Sequence, residues 1–143
     1  MRRRLHPLLL VTGSRECDYD PVVAVLDDTL KEIIGSYGPP FVMHGGARGA
    51  DQIAHMWASE KAATREVAWV ERFPAHWAVY GKGAGPIRNA AMAERIWPHQ
   101  EAGGLVIVLA FPKGESRGTR DMISAAEAVG INDIRTYEQE LAA

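Results

Sequence analysis

The chain has a single cysteine, Cys17. An internal disulfide is therefore excluded, and a reducing cytoplasm is the expected compartment. Long apolar runs are missing too. The stretches 8–11 and 104–111 fall far short of the ~20 residues of a spanning helix, and Arg2-Arg3-Arg4 precedes a run too short for a signal-peptide core. No membrane association is expected. An excess of either charge is lacking: the net charge is −2 and the pI about 6.2. No basic field supports a nucleic-acid partner. Metal patterns are absent, with no HExxH, no paired cysteines and no common ligand spacing in His44 and His55, so no metal site is expected. A Walker A loop is excluded because His76 stands five before Gly81 and Gly83 follows Lys82. GxGxxG is missing after the first apolar run, which argues against a dehydrogenase-type NAD site, and no cofactor is expected. Repeats, linkers and low-complexity tracts are also lacking. At 47% hydrophobic and 24% charged, residues 1–143 fit one globular domain with its own core.

What is present is an alternation. Leu8-Leu9-Leu10-Val11, Phe41-Val42-Met43, 67–73, 104–111 and 131–137 read as five strands. Continuous apolar runs of this kind suit strands covered on both faces, and 104–111 reads as the central one. Helical spacing lies between them. Val22, Leu26, Leu30 and Ile33 or Ile34 form one stripe, with Asp20 expected as its N-cap and Pro21 at its first position. Ala50, Ala54, Ala58 and Ala62 form another over 50–63, where His55 and Trp57 read as packing or surface residues. The segment 75–85 reads as a long loop before a helix opened by Pro86 and capped by Gly85, with Ala91, Met92 and Ile96 buried and Pro98 beyond its end. Thr119 is expected to cap a last helix, with Asp121 in its first turn and Met122, Ala126 and Val129 inward. The fold class is α/β: a parallel sheet of about five strands with helices on both faces.

Three strand-to-helix turns share one chemistry. His44-Gly45-Gly46-Ala47-Arg48-Gly49-Ala50-Asp51 is the richest, and Gly13-Ser14-Arg15 and Ser116-Arg117-Gly118-Thr119 are the others. Glycines allow close approach to the backbone, and a helix start offers free N–H groups and a positive dipole end to an anion. In parallel sheets such turns gather at the carboxyl edge, where ligands bind. A small, phosphorylated ligand follows. Candidate ligand-binding residues are Gly13, Ser14, Arg15, Gly45, Gly46, Arg48, Asp51, Arg88, Asn89, Ser116, Gly118 and Thr119. Asp51 could orient ribose hydroxyls or cap its helix, and Arg88 could bind ligand or pair with Glu94. Cys17 lies near these turns with no reactive motif around it.

Thr12-Gly13-Ser14-Arg15, the 44–51 turn, Phe73-Pro74-Ala75-His76-Trp77, Gly85-Pro86-Ile87-Arg88-Asn89 and Ser116-Arg117-Gly118-Thr119 together resemble the SLOG superfamily, related to Smf/DprA and Lonely Guy proteins. The branch it looks most like is the YspA-type, and the resemblance spans roughly 8–137. It implies a Rossmann-like fold, a nucleotide-derived ligand and a homodimer. It assigns Gly45-Gly46 to the glycine-rich loop, Arg88 to a ligand-contacting arginine and Gly118-Thr119 to the Gly-Thr of the Lonely Guy pattern PGGxGTxxE. The chain departs from that pattern: 111–115 inserts material before Ser116, and Met122 stands at the glutamate position.

Nucleotide binding, as in a sensor, is therefore the leading expectation. The alternative is a phosphoribohydrolase cleaving the N-glycosidic bond of a nucleoside monophosphate, with Asp121, Arg88 and Glu71 as candidate catalytic residues and Asp51 as a further acid. DprA-like DNA binding is opposed by the charge balance.

Overall fold

The computed structural model describes residues 5–141, so the Arg2-Arg3-Arg4 cluster lies outside the described residues. Five strands, β1 (Leu8–Gly13), β2 (Phe41–His44), β3 (Trp69–Arg72), β4 (Val106–Phe111) and β5 (Asp133–Thr136), form one sheet in the order β3-β2-β1-β4-β5. Every pairing is parallel. The helices are α1 (Tyr19–Tyr37), α2 (Ala50–Ala63), α3 (Trp77–Tyr80), α4 (Ala84–Glu101) and α5 (Arg117–Ala128), with a 3-10 turn at Gly81–Gly83.

Strand alternation divides the core into two layers. Leu9 and Val11 of β1 pack with Val42, Ile107 and Leu109 against the stripes of α1 and α2. Leu8 and Leu10 point the other way, with Met43 and Val108, onto Met92 and Ile96 of α4 and Met122 and Ala126 of α5. The chain therefore has the Rossmann-like α/β architecture, with helices on both faces. Trp57 anchors the first layer by donating its indole N–H to Asp27 at 2.9 Å. No helix among the described residues is long and apolar enough to cross a membrane.

Local details differ from the sequence reading for identifiable reasons. β4 is interior, but β1 is the middle strand of the five. α1 begins at Tyr19 after Asp18, placing Pro21 in the first turn, where its missing N–H would have had no intrahelical partner. Asp18 makes no cap bond; its carboxylate instead faces Lys113 at 3.4 Å. α4 starts at Ala84 and runs through Pro98 to Glu101. Pro98 forfeits a single bond in the last turn, and the end closes through Ala102 N–H to the Pro98 carbonyl at 3.0 Å. Ala93 rather than Ala91 joins Met92 and Ile96 inside. The expected loop 75–85 is mostly helical, occupied by α3 and the 3-10 turn. Thr119 is not a cap: α5 begins at Arg117 after Ser116, and its first turn holds no acid, so Asp121 stands in the second turn.

Candidate functional site

The chain leaves β1 for α1 on one face of the sheet and leaves β4 for α5 on the other. These neighbouring strands thus mark the point where the winding reverses. Diverging turns at such a point leave a crevice beyond the strand ends. Here it measures about 840 Å³ and is open on one side. Thr12, Gly13, Ser14, Arg15 and Glu16 line it after β1, and Ser116, Arg117, Gly118, Thr119 and Asp121 line it after β4. Trp77, Lys82, Gly85, Pro86, Arg88 and Asn89 come from α3 and the start of α4, and Ala47 and Asp51 from the turn after β2.

The turn into α5 is open. Ser116 takes φ 45°, a left-handed conformation unusual for serine, and its side chain does not cap the helix. Its hydroxyl donates instead to Thr119 Oγ1 at 2.8 Å. The first backbone bond of this helix is Arg120 N–H to the Ser116 carbonyl. Among the described residues, the N–H groups of Arg117, Gly118 and Thr119 have no acceptor and stand as donors at the positive end of a helix. A Cβ built on Gly118 would meet nothing within 4 Å. Glycine in a helix costs roughly 0.5–1 kcal/mol relative to alanine, and no packing contact requires it here.

The turn into α2 is closed. Asp51 is buried, and its Oδ2 accepts the Gly45 N–H at 3.1 Å and the Ala47 N–H at 3.2 Å. The Gly46 N–H donates to His44 Nδ1 at 3.0 Å, and the Ala50 N–H to the Ser14 carbonyl at 3.3 Å. His44 Nδ1 is therefore an acceptor, so its proton sits on Nε2 and is donated to His55 Nδ1 at 2.8 Å. Burial first, then His55, Arg72 and Arg88, lower His44 to about 4. Burial pushes Asp51 up to about 6 against the pull of the Ala47 N–H, the Arg88 charge and the Gly45 N–H. Asp51 Oδ1 has no hydrogen-bond partner among the described residues. Asp51 Oδ2 thus ties its own turn and does not cap α2.

Arg88 and Asn89 couple α4 to both turns. Arg88 Nη1 donates to the Gly45 carbonyl at 2.6 Å and the Phe73 carbonyl at 3.4 Å, and Nε donates to Asn89 Oδ1 at 2.8 Å. These partners replace the alternative pairing with Glu94. Burial lowers the Arg88 guanidinium, while the nearby Asp51 carboxylate raises it. Asn89 is buried, and its amide donates to the Gly118 carbonyl at 3.2 Å and Asp121 Oδ2 at 3.0 Å. Its polar atoms are committed within the protein, so Asn89 positions Arg88 and α5.

Of the twelve expected ligand-binding residues, the structure gathers Gly13, Ser14, Arg15, Asp51, Arg88, Asn89, Ser116, Gly118 and Thr119 around the crevice. Gly45, Gly46 and Arg48 do not line it. Arg48 is exposed and lies 3.7 Å from Glu16. Glu71 is remote from the other two catalytic candidates: it pairs with Arg95 at 3.4 Å beside a separate cavity of about 520 Å³ against β2 and β3. Asp121 and Arg88 do line the crevice. Met122, at the glutamate position of the resembled pattern, is fully buried in the core. The Cys17 thiol donates to the Phe111 carbonyl at 3.1 Å, and burial raises it, which disfavours the reactive thiolate. No group of three or more His, Cys, Asp or Glu suited to a metal occurs among the described residues.

Trp77 and Lys82 were missed as lining residues because the reading of 75–85 as a loop gave them no direction. Trp77 and Tyr80, three apart, were the available sign of a helical turn.

The model of the family described as YAcAr: YspA, cpYpsA-related SLOG family matches residues 7–80. The Gene 61 protein of Mycobacterium phage D29 is 37% identical over 123 residues, covering 86% of this chain and 90% of that protein. No solved structure matches significantly.

Proposed function

The chain belongs to the YspA, cpYpsA-related SLOG family, and from that premise we propose that it binds a nucleotide or nucleotide-derived phosphorylated ligand in the crevice between β1 and β4, as a ligand sensor. The observation that carries this reading is the start of α5. Three backbone donors stand uncapped at the winding reversal, beside a glycine with empty space where its side chain would be. A phosphate would accept those N–H bonds and interact favourably with the helix dipole. Arg15 and Lys82, which make no ion pair among the described residues, and Arg88 supply positive charge along the same crevice. The volume lies within the ~300–1,000 Å³ common for small-molecule sites.

The hydrolytic alternative rests on Asp121 lining the crevice. It has less support, because Met122 faces the core and Glu71 is elsewhere. Calorimetry with AMP, ADP-ribose and NAD tests the binding reading, and heat-saturable binding of at least one is expected. No binding of any at millimolar concentration would remove it. Chromatography of nucleoside monophosphates incubated with the protein separates the alternative: free base appears only if the N-glycosidic bond is cleaved. A homodimer remains part of the proposal, and light scattering showing only a 15.7 kDa monomer would oppose it.

A further inference from the structure

Among the helices, α3 stands apart because it buries none of its four residues, and the 3-10 turn that follows buries none of its three. Core packing therefore does not explain why this segment is apolar. Trp77, Val79 and Tyr80 are 50%, 73% and 50% exposed. Scattered exposed hydrophobics are ordinary, but these three differ in one respect: only Trp77 lines the crevice. Its indole lies against Gly85, where an added Cβ would stand 3.4 Å from Cη2 and 4.0 Å from Cζ2. Gly85 is buried and Pro86 follows it on the crevice wall. The Cη2–Cζ2 part of the ring is thus backed by the start of α4, and the residue as a whole is half exposed.

We infer that Trp77 is the stacking platform for the base of the ligand, so that the site selects a base-bearing nucleotide over a sugar phosphate or inorganic phosphate. This inference rests on the proposed nucleotide-binding reading. The crevice then has two chemically distinct ends. The uncapped start of α5 meets the phosphate, and the α3–α4 junction offers an aromatic surface framed by Gly85 and Pro86. A flat base gains from an indole face because both are large, polarisable and poorly hydrated on their faces, whereas a ribose phosphate has no such surface. Stacking is tolerant of base identity because every base has a π face. Platform and phosphate site therefore define a nucleotide class without choosing among bases.

The test is calorimetry with AMP, ribose 5-phosphate and inorganic phosphate on the full chain and on Trp77→Ala and Trp77→Phe. The wild-type protein is expected to bind AMP at least tenfold more tightly than ribose 5-phosphate. Trp77→Ala should weaken AMP by about 10- to 100-fold, the range typical of losing one base–aromatic stack. It should leave ribose 5-phosphate within about twofold, and Trp77→Phe should keep AMP within about fivefold. Because α3 buries no residue, both variants are expected to melt close to the wild type. Equal wild-type affinity for AMP and ribose 5-phosphate would overturn the inference while leaving a phosphate site. Equal weakening of both ligands by Trp77→Ala would overturn it in favour of a role in holding the α4 start. Failure of all three probes to bind the wild type would overturn the nucleotide reading and this inference with it.

Discussion

The turns into α2 and α5 look alike in sequence, each with glycine beside arginine after an apolar strand, yet they use their backbone donors in opposite ways. In the first, Asp51, His44 and the Ser14 carbonyl consume the N–H groups of Gly45, Ala47, Gly46 and Ala50. Its glycines are required by neighbours: Gly49 has φ 78°, and a Cβ there would overlap the Ser14 carbonyl oxygen, while one on Gly45 would overlap the Arg88 guanidinium. In the second, the donors are left uncapped among the described residues, and a Cβ on Gly118 would touch nothing. Glycine content therefore marks both a closed clasp and a turn left open. What separates them is whether the protein itself supplies the acceptors.

Gly49→Ala is expected to be the most damaging substitution in the α2 turn. Positive φ and overlap with the Ser14 carbonyl should together cost roughly 2–5 kcal/mol in urea unfolding. A loss below 1 kcal/mol would show that the α2 turn is not held as described. Next in size is pH dependence within the clasp. Asp51 sits at about 6 when folded against an ordinary 3.8, so the folded state holds the extra proton. Its contribution to stability falls as pH rises from about 4 to 6. His44 sits at about 4 against an ordinary 6.5, so the folded state holds fewer protons and its contribution rises between about 4 and 6.5. Each is on the order of 3 kcal/mol, and the two oppose one another. Asp51→Asn, which keeps an acceptor oxygen for the Gly45 and Ala47 N–H groups, should make stability rise with pH across this window. His44→Asn should make it fall. Identical slopes in both variants would contradict the clasp.

Gly118→Ala tests the α5 turn. With open space at the Cβ position, it should stabilise the fold by roughly 0.5–1 kcal/mol while weakening AMP binding about tenfold, as the methyl group enters the phosphate position. Stabilisation with unchanged affinity would put the phosphate elsewhere. The smallest effect is expected from Asp121→Asn. The new amide oxygen can still accept from Asn89, so stability should change by less than about 0.5 kcal/mol and AMP affinity by no more than a few-fold. If a phosphoribohydrolase activity is found and this variant abolishes it while binding persists, the hydrolytic reading takes over.

Much of the framework was legible because it follows from apolar periodicity. The stripe at Ala50, Ala54 and Ala58 located α2, which spans Ala50–Ala63 as expected, and the apolar runs located all five strands in order. The site was legible where chain topology alone gathers residues, as at Ser14 and Gly118. It was not legible where a side chain decides the outcome. Asp51 folding back onto its own turn and Arg88 reaching the Gly45 carbonyl are tertiary facts, and through them the protein itself satisfies polar groups of its most conspicuous glycine motif. α3 was hidden for a related reason: an exposed turn has no buried stripe to betray it.

On the proposed reading, the ligand's phosphate meets the open α5 turn and not the closed α2 turn. The most direct test is backbone amide chemical-shift mapping during titration with AMP. The largest saturable shifts are expected at Arg117, Gly118 and Thr119, accompanied by Ser14 and Arg15, with Gly45 and Gly46 nearly unmoved. Dominant shifts at Gly45, Gly46 and Ala47 with a silent α5 turn would contradict it.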